Sequence, residues 1–218
     1  MVQIYKNILN VFKKSVKKER VIVYIDGFNL YFGMTSKYNN TKWLDLISLA
    51  ENILKPNQTL VEVRYYTAMI SNNVSKVKRQ VSYIDALRNS GVSITLGHYK
   101  KKKKFCRSCD ANWLTYEEKM TDVNISVDLL KHAMEDKYDA AMLISGDSDL
   151  VPPIKAVHSS FINKRIFVVF PPNRANEDVR RVAKGYFTLG RKTLLDNQFA
   201  ASIQLPNGKA LIKPNDWL

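Results

Sequence analysis

Ala140-Ala141-Met142-Leu143-Ile144-Ser145-Gly146-Asp147-Ser148-Asp149-Leu150 decides the fold class of this chain. Five apolar residues in succession read as a strand buried on both faces. Pro152 and Pro153 then suit the first turn of a helix, where their missing N–H groups do no harm. A buried strand that feeds a helix is the unit of a parallel α/β sheet, and the carboxyl end of such a strand is where open sheets place ligands. The same pattern occurs upstream, where Val21-Ile22-Val23-Tyr24-Ile25 runs into Asp26-Gly27-Phe28-Asn29. If the two strands are parallel neighbours, their terminal carboxylates converge on one edge. Unpaired carboxylates repel one another, so such a cluster calls for a cation.

The rest of the chain extends this alternation. Leu60 to Ile70, Val92 to Tyr99 and Arg165 to Phe170 read as further strands. Helices are expected at Leu44 to Leu54, stopped by Pro56, and at Val74 to Leu87, ended by Asn89-Ser90-Gly91. A third spans Asp122 to Asp136 with Val123, Val127, Leu130 and Met134 on one side, and a short one covers Val179 to Ala183. Tyr31 to Thr41, rich in Tyr, Ser, Asn and Thr, reads as a loop. The expected organisation is a basic N-terminal arm or helix at 1–20, an α/β domain at 21–190, and a C-terminal helix and tail at 191–218 packed on that domain.

Composition bounds the function. At 218 residues, 45% hydrophobic and 11% aromatic, the chain can bury the core of one domain. No apolar run approaches a membrane span, and the charged N-terminus has no signal-like apolar stretch. The two cysteines lie three residues apart and cannot staple a chain of this length, so a cytoplasmic protein with no membrane partner is expected. The net charge is +14, of which eleven charges come from residues 1–20 and residues 100–107. The second segment holds Lys100, Lys101, Lys102, Lys103, Lys104 and Arg107 with no acid, and reads as a lysine loop that suits a nucleic acid. A solvated tail and a solvated loop are the plainer alternative. Tyr31, Phe32, Tyr38 and Trp43 are candidates for stacking unpaired bases or for core packing. Cys106-Arg107-Ser108-Cys109 supplies two ligands where structural zinc takes four. Free thiols lowered by the lysine run, zinc shared across a homodimer, and a redox-labile bridge all remain open, with Trp113 anchoring the loop.

Three segments stand together: Tyr24-Ile25-Asp26-Gly27-Phe28-Asn29-Leu30, Glu117-Glu118-Lys119-Met120-Thr121-Asp122-Val123-Asn124, and Ser145-Gly146-Asp147-Ser148-Asp149-Leu150. In this order and spacing they resemble the NYN domain, a branch of the PIN-like nuclease superfamily, and more narrowly the bacterial LabA/DUF88 group. The resemblance covers residues 20–190 and extends to Leu205-Pro206, Pro214 and Trp217. It implies a PIN-like three-layer α/β/α domain with a mainly parallel central sheet, and a metal-dependent endoribonuclease using Mg²⁺ or Mn²⁺. Asp26 and Asn29 match the family's first-strand turn, Asp122 the start of its central helix, and Asp147 and Asp149 the acidic pair after the fourth strand. The implied catalytic set is thus Asp26, Asn29, Asp122, Asp147 and Asp149, with the four aspartates as metal ligands. Asp128 is a further match, but it lies about 240° round the helix from Asp122. Each aspartate alone would serve as a helix cap or turn brace. A non-catalytic RNA-binding or scaffolding module and a DNA-directed nuclease are the alternatives. A haloacid-dehalogenase-like phosphatase is set aside, because Phe28 stands where that chemistry needs a second acid.

Overall fold

The computed structural model describes residues 17–71 and 73–217, so the expected arm falls almost wholly outside the described residues. The main elements run β1 (Glu19–Asp26), α1 (Gly27–Lys37), α2 (Leu46–Ile53), β2 (Gln58–Thr67), α3 (Val74–Asn89), β3 (Ser93–Leu96), β4 (His98–Phe105), β5 (Asn112–Lys119) and α4 (Thr121–Met134). They continue with β6 (Ala140–Ile144), α5 (Val151–Ser160), β7 (Arg165–Phe170), α6 (Glu177–Val182), β8 (Tyr186–Thr188), α7 (Arg191–Asp196), β9 (Ser202–Gln204) and β10 (Ala210–Ile212).

Six strands form one sheet in the order β3-β2-β1-β6-β7-β8, and every neighbouring pair is parallel. The chain winds outward from β1 to β3, returns through α4 to lay β6 beside β1, and winds outward again. Strand order therefore reverses between β1 and β6, the place where open α/β sheets bind ligands. Val21 to Asp26 are all buried, which is why β1 shows no polar alternation. Val21, Val23 and Ile25 face a core completed by Leu30 and Met34 of α1, Leu46 and Leu49 of α2, and Leu87 of α3. Ile22 and Tyr24 face the opposite core, with Ile125 and Leu129 of α4, Ile154 and Val157 of α5, and Val179 of α6. These two cores make the three layers of a PIN-like α/β/α domain.

Three local expectations are corrected. Residues 31–37 are helical: Leu30 and Met34 bury one face of α1, while the hydroxyls of Thr35 and Ser36 donate to carbonyls of Tyr31 (3.0 Å) and Gly33 (2.9 Å). The lysine run is a strand, not a loop, because β4 pairs antiparallel with β5 from His98↔Lys119 to Phe105↔Asn112. Trp113 anchors nothing: it sits in β5 opposite Lys104, 47% exposed. On α4 the packed side is Ile125, Leu129 and Ala133, whereas Val123, Val127 and Met134 face outward.

The β4–β5 hairpin leaves the sheet at Gly97 and returns at Met120. A Cβ on Gly97 would lie 2.5 Å from the Lys119 carbonyl oxygen, and Met120 takes a left-handed φ of 80°. At the other end of the chain, Trp217 packs on Trp43 and Tyr83, and the Asp216 carboxylate accepts from Arg79 at 2.6 Å.

Candidate active site

Asp26, the last residue of β1, caps α1: one oxygen accepts from the Asn29 backbone N–H at 3.0 Å. Its other oxygen accepts from the Ser145 hydroxyl at 2.9 Å, just past the end of β6. Ser145 Oγ in turn accepts from the Asp147 backbone N–H at 3.1 Å, and Asn29 Oδ1 accepts from the Gly146 N–H at 3.1 Å. Two of these four bonds, Ser145 to Asp26 and Gly146 to Asn29, stitch the turn after β1 to the turn after β6, and the other two brace each turn from within. Gly146 is obligatory here, since a Cβ would fall 1.7 Å from the Arg174 carbonyl oxygen in the turn after β7. From the third direction, the first turn of α4 brings in Asp122. Glu118 of β5 holds that helix start by accepting from the Thr121 N–H at 3.1 Å.

Asp26, Asp122 and Asp147 each offer a carboxylate oxygen, and these oxygens lie within 4.8 Å of one another. Asp26 is 4% exposed and Asp122 half-buried. Burial raises the Asp26 carboxyl from 3.8 to about 6, against the two bonds from Asn29 and Ser145 and reinforced by the charges of Glu118 and Asp147. Burial likewise lifts Asp122 to about 7, with Asp26, Asp147, Glu118 and Asp149 adding repulsion. Among the described residues no Lys or Arg forms an ion pair with these aspartates. A compact set of carboxylate oxygens without an internal counter-charge fits a hard divalent cation.

Asp149 stands outside the close trio. It is exposed, its N–H donates to Asp147 Oδ1 at 3.0 Å, and it lines a shallow depression with Asp122. Asp128 is engaged elsewhere, accepting from Arg64 Nη2 (2.9 Å) and the Tyr66 hydroxyl (2.7 Å). Glu118 is the residue that the sequence reading passed over, although it lay within a quoted segment. Strand alternation puts it on the hairpin face of Tyr99, opposite which it pairs. Lys101 and Lys103 lie on that same face with Tyr116 and Leu114, whereas Lys100, Lys102 and Lys104 lie on the other. Lys102 and Lys119 each pair with Glu117 at 3.2 Å.

Arg107 is exposed at the hairpin tip beside Cys106 and Cys109, which are free thiols. Hydrogen bonds, first from Ser108, hold the Cys106 thiol down to about 7; the lysine run is not the cause. Among the described residues, no third ligand is grouped with the two thiols. Trp43 is a core residue whose indole N–H donates to the Ala200 carbonyl at 2.9 Å, while Tyr31 and Phe32 are exposed. His132 is buried against the Tyr24 hydroxyl at 2.8 Å, and His158 Nε2 accepts from the Ile166 N–H. Among the described residues, no helix is long and apolar enough to cross a membrane.

A doubly wound parallel sheet with acids gathered at its reversal point defines a PIN-like α/β protein. The chain belongs to the NYN domain family, whose profile matches residues 20–190. It is 26% identical over 238 residues to 6-hydroxy-3-succinoylpyridine 3-monooxygenase HspA of Pseudomonas putida, a match spanning 91% of this chain and 75% of that protein. It also resembles the crystal structure of a Vibrio parahaemolyticus protein of unknown function, with a TM-score of 0.56 and 20% identity over 80% of this chain and 95% of the other. That likeness concerns the fold.

Proposed function

We propose that the protein is a divalent-metal-dependent endoribonuclease that hydrolyses phosphodiester bonds at the Asp26–Asp122–Asp147 cluster. The observation that supports this is the meeting of three carboxylate oxygens within 4.8 Å at the β1/β6 reversal, with no ion pair to balance them among the described residues. Asp26, Asp122 and Asp147 would hold Mg²⁺ or Mn²⁺, with Asp149 at the rim. Such a cation, when bound, neutralises charge on the phosphoryl oxygens and lowers the pKa of water. The protein's own groups supply the preorganisation. Ser145 and the Asn29 N–H fix both oxygens of Asp26, and Asn29 pins the Gly146 turn that aims Asp147. Glu118 steadies the α4 start that presents Asp122. Lys101 and Lys103 on the Glu118 face of the hairpin, with the exposed Arg107 at its tip, would meet flanking phosphates, an affinity that falls with salt.

The relative named as a monooxygenase suggests a second reading, oxygenation of a small aromatic substrate. The donor set weighs against it. Non-haem iron oxygenases use two histidines and a carboxylate, whereas the cluster here is all carboxylate. The deciding experiment incubates labelled single-stranded RNA, structured RNA and DNA with Mn²⁺, Mg²⁺ or EDTA, comparing wild type with Asp147→Asn. Metal-dependent RNA cleavage that disappears in the variant supports the proposal. Equal cleavage by both proteins sinks the site, binding without cleavage in any metal favours a non-catalytic module, and preference for DNA favours the DNA-directed alternative.

A further inference from the structure

We propose that the cavity beside the acidic cluster is a pocket for one unpaired nucleobase, which makes the protein selective for single-stranded over paired RNA. This rests on the nuclease reading above. The cavity measures about 170 Å³, and Phe28, Tyr31, Phe32, Tyr65, Tyr99 and Trp217 supply its aromatic walls. Two of its lining residues adjoin the cluster's own: Gly27 follows Asp26 in the chain, and Tyr99 is the strand partner of Glu118. Tyr65 is pressed on that backbone: a Cβ on Gly27 would lie 2.5 Å from its ring.

The rings form an ordered row. Phe28 and Tyr99 are within 4° of parallel at 6.3 Å, Phe28 and Phe32 within 26° at 6.0 Å, and Tyr99 and Tyr116 within 11° at 5.6 Å. The row runs from α1 across to the hairpin face that also carries Lys101, Lys103 and Glu118. Phe32 is 47% exposed and Tyr31 37% exposed, so flat apolar surface is open at the mouth. Every base has a π-face, and stacking on such rings is tolerant of sequence.

Charge selects the occupant. Lys42, Lys76 and Arg79 contribute to the cavity lining. Asp216 answers two of them: its carboxylate takes Arg79, and its carbonyl accepts from Lys42 at 3.2 Å. Among the described residues Lys76 forms no ion pair. Aromatic walls with a surplus of cations match a nucleotide, whose ring stacks while its phosphate meets the ammonium group. The volume falls below the roughly 300–1,000 Å³ of sites for drug-sized ligands, so one ring system fits. A base inside a duplex is stacked on both faces and must unpair before it can enter.

The test measures binding, in EDTA so that nothing is cut, of a fluorescein-labelled single-stranded RNA and of the same RNA annealed to its complement. Phe32→Ala and Tyr31→Ala remove exposed rings, and circular dichroism checks their fold. The single strand is expected to bind wild type more tightly than the duplex does. Each variant is expected to lose about 5-fold or more for the single strand, with duplex binding unchanged. Equal affinity for both RNA forms, or variants that bind like wild type, overturns the pocket; metal-dependent cleavage would then still stand. Selective, Phe32-dependent binding without cleavage in any metal keeps the pocket and removes the catalytic reading. No binding to either RNA overturns the pocket, and the cleavage assay then decides the nuclease reading by itself.

Discussion

Replacing Asp26 by Asn isolates the electrostatic cost of the cluster. In the metal-free protein burial moves the Asp26 carboxyl from 3.8 to about 6. The folded state keeps its proton over a range where the unfolded chain has released it. Stability therefore falls as pH rises from about 4 to about 6 and stays low above that. One pKa step corresponds to about 1.4 kcal/mol, so the ionised carboxylate destabilises the metal-free fold by about 3 kcal/mol near neutrality. The amide of Asp26→Asn still accepts from the Asn29 N–H, but without charge assistance, and it turns an N–H group toward Ser145; that loss costs about 1–2 kcal/mol. In EDTA at about pH 8 the variant should thus be more stable than wild type by about 1–2 kcal/mol. The advantage should vanish at about pH 4.5, where the wild-type carboxyl is already protonated. Urea unfolding reads this as a shift in midpoint at constant m. Mn²⁺ at a hundred times its Kd should stabilise wild type by about 2.7 kcal/mol and the variant by less, reversing the order. Parallel pH profiles for the two proteins, or a less stable variant at the higher pH in EDTA, would refute the reasoning.

Asp128→Ala should lower stability by about 1–3 kcal/mol, because the Tyr66 hydroxyl loses its acceptor and Arg64 one of its two carboxylate partners. Its metal-dependent cleavage per folded molecule should be unchanged, and lost cleavage with an unaltered Tm would return Asp128 to the site. The double variant Lys101→Ser, Lys103→Ser should flatten the salt dependence of single-stranded RNA binding by about 1.4 in log–log slope, at about 0.7 per lost phosphate contact. Its Mn²⁺ affinity should not change, and an unaltered slope would show that this hairpin face does not touch RNA.

The central strands were legible because parallel strands are buried on both sides and read as unbroken apolar runs. Asp26 and Asp147 followed from them: Asp26 directly ends the first run, and Asp147 lies in the turn that follows the second. Helix α1 was not legible: its Thr and Ser hydroxyls look like loop chemistry until they bond back to their own helix. Helix α4 carries two apolar faces, and only the neighbouring strands choose Ile125 and Leu129 over Val123 and Val127. Glu118 and Glu117 are adjacent and chemically alike. The hairpin register alone sends one towards the cluster and the other to Lys102 and Lys119. The aromatic cavity draws on residues from Gly27 to Trp217 and has no local sequence signal.

The β4–β5 hairpin hangs between Gly97 and Met120 as a side branch of the β3-to-α4 connection, paired with itself and not with the six-stranded sheet. Its outer length is free of the sheet's register. Doubling such a loop costs only about 0.6 kcal/mol in closure entropy. The residues at its root, Tyr99 and Glu118, are the ones that reach the cavity and the cluster. A different outer hairpin grafted onto this root would leave the acidic centre and the six-stranded sheet intact.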